Sequence, residues 1–147
     1  MRMILILALA PAIGLGIGRF GYTLVLPDMR DSLGWSYSTA GFMNTVNAIG
    51  YLAGALGAAS FIRRVGVFRS VWIGALACVI SLGICALSGN VLVFGFGRLL
   101  SGLGAATTFV GGGTLAATIA QSRPMKSALL LNLFYTGPGT GLIVSGL

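Results

Sequence analysis

Long apolar runs separated by short polar breaks set the pattern of this chain. Five of the runs come close to the ~20 residues that a helix needs to cross a bilayer. They cover about residues 3–26, 38–62, 70–88, 91–120 and 127–147, and none has the wide polar face of a soluble helix. The predicted fold class is all-α transmembrane.

The breaks and the polar positions inside the runs carry the detail. In the first run, Gly14, Gly16, Gly18 and Gly21 accompany Arg19 and Tyr22. The following Pro-Asp-Met-Arg-Asp-Ser-Leu-Gly, residues 27–34, predicts a short separate helix at the membrane surface, with proline in its first turn and glycine at its end. Trp35 and Tyr37 then fit an interfacial aromatic belt. In the second run, Asn44, Asn47 and Tyr51 are spaced i, i+3, i+7 and predict one polar stripe; Gly50, Gly54 and Gly57 predict close packing along it. Two roles for the asparagines stay open, bonding a neighbouring helix or lining a route. The third run is the most uniformly apolar and is expected to face lipid. The fourth carries Arg98 with Gly102 and Gly104, expected packing sites. In the fifth, Asn132 and Tyr135 share a face, and Pro138 between Gly137, Gly139 and Gly141 predicts a bend.

Composition agrees with the runs. The chain is 56% hydrophobic and 7% charged, against about 25% charged residues in soluble domains. Its net charge of +7 would point to nucleic acid in a soluble protein. Here the basic residues stand singly or in pairs between apolar runs, which makes them topology signals and excludes a nucleic-acid face. Arg2, the group Arg63, Arg64 and Arg69, and the pair Arg123 and Lys126 fall on one side if the spans alternate. That side is expected to be cytoplasmic, with the N-terminus inside, as in a bacterial inner membrane. The apolar run continues past Pro11 to Leu26, so Met1–Ala10 reads as the start of a retained span rather than a cleaved signal. Cys78 and Cys85 lie seven residues apart in one helical run, roughly 10 Å and too far for a disulfide. With no histidine and no CxxC pattern, no metal site, no cofactor and no enzymatic nucleophile–base pair is expected.

Two arginines inside apolar runs remain to be explained. A charge at the centre of a membrane helix costs about 2.5–3.5 kcal/mol on insertion scales. Counted from the span ends, Arg19 and Arg98 both sit roughly 10–12 Å from the external surface, and Asn44 falls at a similar depth. The expectation is a cationic polar layer facing the bundle interior. The only acids are Asp28 and Asp31, both in a break, so neutralisation must come from carbonyls, asparagines, water, a carboxylate outside this chain, or an anionic ligand. Snorkelling or structural pairing stays open beside a substrate role.

On particular motifs the chain resembles the major facilitator superfamily. Arg98-Leu-Leu-Ser-Gly102-Leu-Gly104-Ala-Ala is similar to that superfamily's fourth-helix motif of arginine and glycine, and Gly137-Pro138-Gly-Thr-Gly141 looks like the core of a fifth-helix motif common in exporters. The run Gly18-Arg19-Phe20-Gly21-Tyr22-Thr23, with Leu26-Pro27-Asp28-Met29-Arg30, Leu33-Gly34-Trp35-Ser36 and the Asn44–Asn47 segment, resembles the bacterial YbfB-like branch of twelve-helix transporters. The resemblance implies the first five helices of a six-helix bundle, incomplete, over residues 1–147, from a secondary transporter that moves a small solute by alternating access between two bundles. It implies Arg19, Tyr22, Asn44, Asn47, Tyr51, Arg98, Asn132 and Tyr135 as candidates for the translocation pathway. It implies a small solute as partner beside the lipid bilayer; Arg19 and Arg98 add two open expectations, an anionic group on that solute or pairing with a coupling carboxylate, and proton coupling, if used, would fall to residues outside this chain. Two departures stand out. Arg63 occupies the place of the acid that usually precedes the glycine of the loop between helices two and three, and Leu133 stands where the fifth-helix motif has an earlier glycine. The expected origin is an N-terminal fragment of a longer protein; the alternative is a five-span structural or accessory membrane protein.

Overall fold

In a membrane, helices associate through close backbone approach and hydrogen bonds, because lipid tails satisfy apolar surface as well as protein does. The computed structural model, which describes residues 2–147, follows that rule. Its helices long and apolar enough to cross a membrane are α1 (Arg2–Leu33), α2 (Tyr37–Val65), α3 (Val67–Leu87), α4 (Val91–Gln121) and α5 (Pro124–Ser145). No strand occurs among the described residues.

The fourth helix is the axis. It packs most extensively on α2 and α3 and also touches α1 and α5, and small residues on each of its faces explain why. A Cβ on Gly102 would lie 2.6 Å from the Tyr51 nitrogen of α2, and one on Gly104 would lie 2.7 Å from the Gly74 carbonyl oxygen of α3. Toward α1, Ser101 and Ala105 meet Gly18 and Gly14, small residues four apart on both helices. The core forms three levels down this axis. Tyr22, Met43 and Phe94 fill one end, Leu15, Cys78 and Ala105 the middle, and Ile4, Ala116, Ala120, Leu130 and Phe134 the other end. Both cysteines are free thiols, each set near a carbonyl of α4.

Several expectations from the sequence meet corrections. The helix of α1 runs through Pro27 to Leu33 and stops at Gly34, whose φ of 65° closes it, so residues 27–34 form no separate surface helix. Pro27 removes one backbone donor, but the polar residues after it are compatible with continued helix. Trp35 turns partly inward, edge-on to Phe94 with ring centroids 5.0 Å apart; Tyr37 stays exposed. On α2, Gly50 and Gly54 abut α4, whereas Gly57 has nothing within 4 Å of an added Cβ. The outer face of α3 is apolar and exposed at Trp72, Ile73, Leu76, Val79 and Ile80.

Within α1, residues Ala12–Gly21 adopt a π-helix. Pro11, immediately before it, lacks the N–H that would continue the α ladder. The wider register bonds i to i+5 and brings residues five apart onto one side. Gly16 and Gly21 accordingly both face α5, at Gly141 and Ser145, while Gly14 and Gly18 face α4. The close approach is mutual, since a Cβ on Gly141 would strike Ala12 and one on Gly137 would strike Ala8. The helix of α5 is interrupted at Thr136, giving segments Ser127–Tyr135 and Gly137–Ser145, with Pro138 in the first turn of the second, where its missing N–H is least disruptive.

Candidate functional site

Arg98 emerges from the second turn of α4, between glycines and serine that leave room beside it, and is only 3% exposed. Its Nη1 donates to the carbonyl oxygen of Gly18 at 2.6 Å, and its guanidinium lies 4.1 Å from the centre of the Tyr22 ring. That ring is held from its far end, where the phenol donates to the Ala40 carbonyl at 3.0 Å. The Arg98 backbone carbonyl accepts from Asn47 Nδ2 at 3.0 Å. One residue thus ties α4 to α1 through its side chain and to α2 through its backbone. Hydrogen bonds to charged groups are worth about 1.5–3 kcal/mol and a desolvated cation–π contact about 2 kcal/mol. Together they offset the insertion cost of roughly 2.5–3.5 kcal/mol without any acidic partner.

The pairing is incomplete. Arg98 Nε and Nη2 and the Ser101 hydroxyl are buried with no protein partner. All belong to residues lining a cavity of about 340 Å³ between α1, α3 and α4, reached also by Ser145 near the end of α5. Ser101, one turn beyond Arg98, was not singled out in the sequence, although its i+3 spacing places it on the same face.

Arg19 has a different setting. It is half-buried, with its guanidinium 4.6 Å from the centre of the Tyr51 ring on α2 and 5.9 Å from that of Phe20. Tyr51 packs against the same cluster as Phe109 of α4. The Phe109 ring in turn stands 5.7 Å from that of Tyr135 on α5. A partly exposed cationic and aromatic face therefore extends across α1, α2, α4 and α5. Phe109 is its central member, and nothing in the sequence distinguishes it from a core phenylalanine.

The eight expected pathway residues thus divide. Tyr22, Asn47 and Arg98 form a buried knot; Arg19, Tyr51 and Tyr135 belong to the more open face; Asn44 and Asn132 are exposed, with no side-chain hydrogen bond between them and either arginine. The single stripe expected on α2 is split, because three residues fall about 60° short of a full turn. Asn47 at 0% exposure points to α4 while Asn44 points away. The two arginines do share a level, since Arg98 bonds the carbonyl of the residue preceding Arg19, but only Arg98 is interior. Among the described residues no group of three potential metal ligands occurs, and the one ion pair, Arg30 with Asp31, lies at the far end of α1.

A bundle of apolar helices joined by glycine contacts, with one arginine enclosed and another at its level half-buried, is the architecture of a multi-pass membrane protein. Residues 11–147 match the profile of the family described as "Uncharacterised MFS-type transporter YbfB", and the chain belongs to this family. It is also similar to the protein named "Putative transporter AraJ" of Escherichia coli (strain K12), 35% identical over 101 residues. That match covers 69% of this chain and 25% of AraJ, so the chain spans about a quarter of the relative's length. No solved structure matches the chain.

Proposed function

We propose that this bundle is the N-terminal part of a secondary transporter that moves a small anionic solute by alternating access. The observation that carries the proposal is Arg19, a cation set on Tyr51 in a partly exposed aromatic face with no acid beside it among the described residues. An anion in transit would find there a charge and two phenolic groups, at Tyr51 and Tyr135, with Asn44 and Asn132 exposed elsewhere on the same helices, α2 and α5. Arg98 and Tyr22 stand behind that face, with Asn47 bracing the arginine's backbone. Gly102, Gly104, Gly137 and Gly141 hold the helices of that bundle at close range, and Pro138 opens the second segment of α5. Any proton coupling would use a carboxylate outside this chain, because Asp28 and Asp31 are exposed at the end of α1. The basic residues of the N-terminus and of the α2–α3 and α4–α5 connections support a reading in which those ends face the cytoplasm of a bacterial inner membrane.

The test is uptake of a panel of radiolabelled small organic anions by the complete transporter in proteoliposomes. At least one anion is expected to be transported faster than neutral polyols of similar size. Arg19→Ala is expected to lower its initial rate roughly tenfold or more, equivalent to about 1.4 kcal/mol, with partial recovery in Arg19→Lys. Anion uptake unchanged in both Arg19→Ala and Arg98→Ala would remove the pathway assignment.

A further inference from the structure

The facing sides of α1 and α3 carry the same pattern. Apolar residues recur at i, i+3, i+4 and i+7 from Met3 to Ala10 on α1 and from Phe68 to Ala75 on α3. The two helices meet further in, where a Cβ on Gly14 would lie 3.4 Å from the Cys78 sulfur. Nearer their starts they separate, and that part of α1 packs on α4 and α5 instead. A groove of about 400 Å³ is left between them, bounded also by Leu115 of α4. Its walls are apolar, and Met3, Ile6, Leu9, Phe68 and Trp72 stay exposed along it.

We propose that this groove holds an acyl chain of an anionic phospholipid, with the headgroup phosphate at Arg2 and Arg69. On α1 the groove extends from Met3 to Ile13, roughly 15 Å at ~1.5 Å per residue. That is half of the ~30 Å hydrocarbon core, the depth of one leaflet. At its outer end stand Arg2, next to Met3, and Arg69, next to Phe68. Both are exposed, and the one ion pair among the described residues, Arg30 with Asp31, lies at the opposite end of α1. Long basic side chains at a helix end reach along apolar surface to the headgroup level, and basic sites between membrane helices retain anionic headgroups. α3 also begins there with no side chain capping its first turn, so its free N–H groups and dipole add to the attraction. Charge favours a lipid over a second copy of this chain, which would bring the same cations against Arg2 and Arg69. None of the eight pathway candidates lines the groove, so the proposal does not rest on the solute reading.

Trp72 in the groove wall supplies the readout, since Trp35→Phe leaves it the sole tryptophan of the chain. The full chain carrying that substitution is placed in phosphatidylcholine nanodiscs, and lipids with brominated acyl chains are added as quenchers. Brominated phosphatidylglycerol is expected to quench Trp72 at a mole fraction roughly tenfold lower than brominated phosphatidylcholine with the same chains. Joint Arg2→Gln and Arg69→Gln substitution is expected to bring the two lipids level, as is salt of about 1 M, which shortens the screening length to ~3 Å. Ala75→Phe fills the groove while keeping both arginines, and is expected to lower quenching by phosphatidylglycerol at least about fivefold. Equal quenching by the two lipids, or a preference that survives the arginine substitutions, overturns the proposal. A preference that survives Ala75→Phe overturns it too, because the lipid would then only gather around the bundle. Trp72 shielded from both lipids, with cross-links between copies, would give the groove to a second chain. A preference lost in the complete transporter, with Trp72 as its sole tryptophan, would give it to a segment of that protein outside this chain.

Discussion

Gly102→Val is expected to prevent recovery of a folded, monodisperse chain, whereas Gly57→Val is expected to leave recovery and melting nearly unchanged. At Gly102 the first added carbon would lie 2.6 Å from the Tyr51 nitrogen and 2.9 Å from the Gly50 carbonyl carbon. Both obstacles are backbone, so no rotamer change relieves them, and α2 would have to move off α4. Overpacking of a tight site costs typically 1–3 kcal/mol, and a displaced helix pair also loses the Asn47 bond to the Arg98 carbonyl. At Gly57, nothing lies within 4 Å of an added Cβ, and exposed substitutions usually stay within about 0.5 kcal/mol. Size-exclusion recovery after detergent extraction, with thermal melting of whatever is recovered, distinguishes the two. Equal recovery of both variants would mean that the α2–α4 contact does not hold the bundle together.

That contrast also marks what the sequence could disclose. Hydropathy identifies five membrane-crossing helices because lipid demands long unbroken apolar runs and internal backbone bonding. It locates where lipid contact can end, not where a helix ends, which is why α1 continues through Pro27 and the two aspartates to Gly34. Glycine content announces close packing, but Gly54 and Gly57 look alike in sequence and only the partner helix separates them. The same holds for Asn44 and Asn47. Spacing alone puts them near one stripe, and the rotation of α2 against α4 decides that only Asn47 is enclosed. The depth shared by Arg19 and Arg98 was legible, since it follows from counting residues along antiparallel helices. Their different exposure was not, because it depends on which side of α1 each occupies. One feature had an unused signal. The five-residue spacing of Gly16 and Gly21, after a proline that interrupts the α ladder, matches the i→i+5 bonding of the π-helix in which both glycines meet α5.

Arg98→Met is expected to melt at or above the temperature of the unsubstituted chain, yet to lower anion transport by the complete protein at least tenfold. The two halves of this prediction have one cause. Arg98 carries its charge at 3% exposure while two of its nitrogens have no protein partner. A buried charge that is only partly bonded contributes little net stability, and replacing such groups by apolar side chains of similar length is often neutral or stabilising by about 1–4 kcal/mol. Methionine is flexible enough to fill the space against Tyr22 and Phe94. An arginine kept to hold the bundle together would be expected to use its donors on the bundle. One that is enclosed with two nitrogens left without a protein partner is better explained by function than by stability, and functional sites commonly trade the second for the first. Melting in nanodiscs and initial uptake rates, measured on the same variant, separate the roles. A destabilisation of more than about 2 kcal/mol, the scale of a lost charged hydrogen bond, together with unimpaired uptake by the surviving protein, would make Arg98 a structural clamp instead.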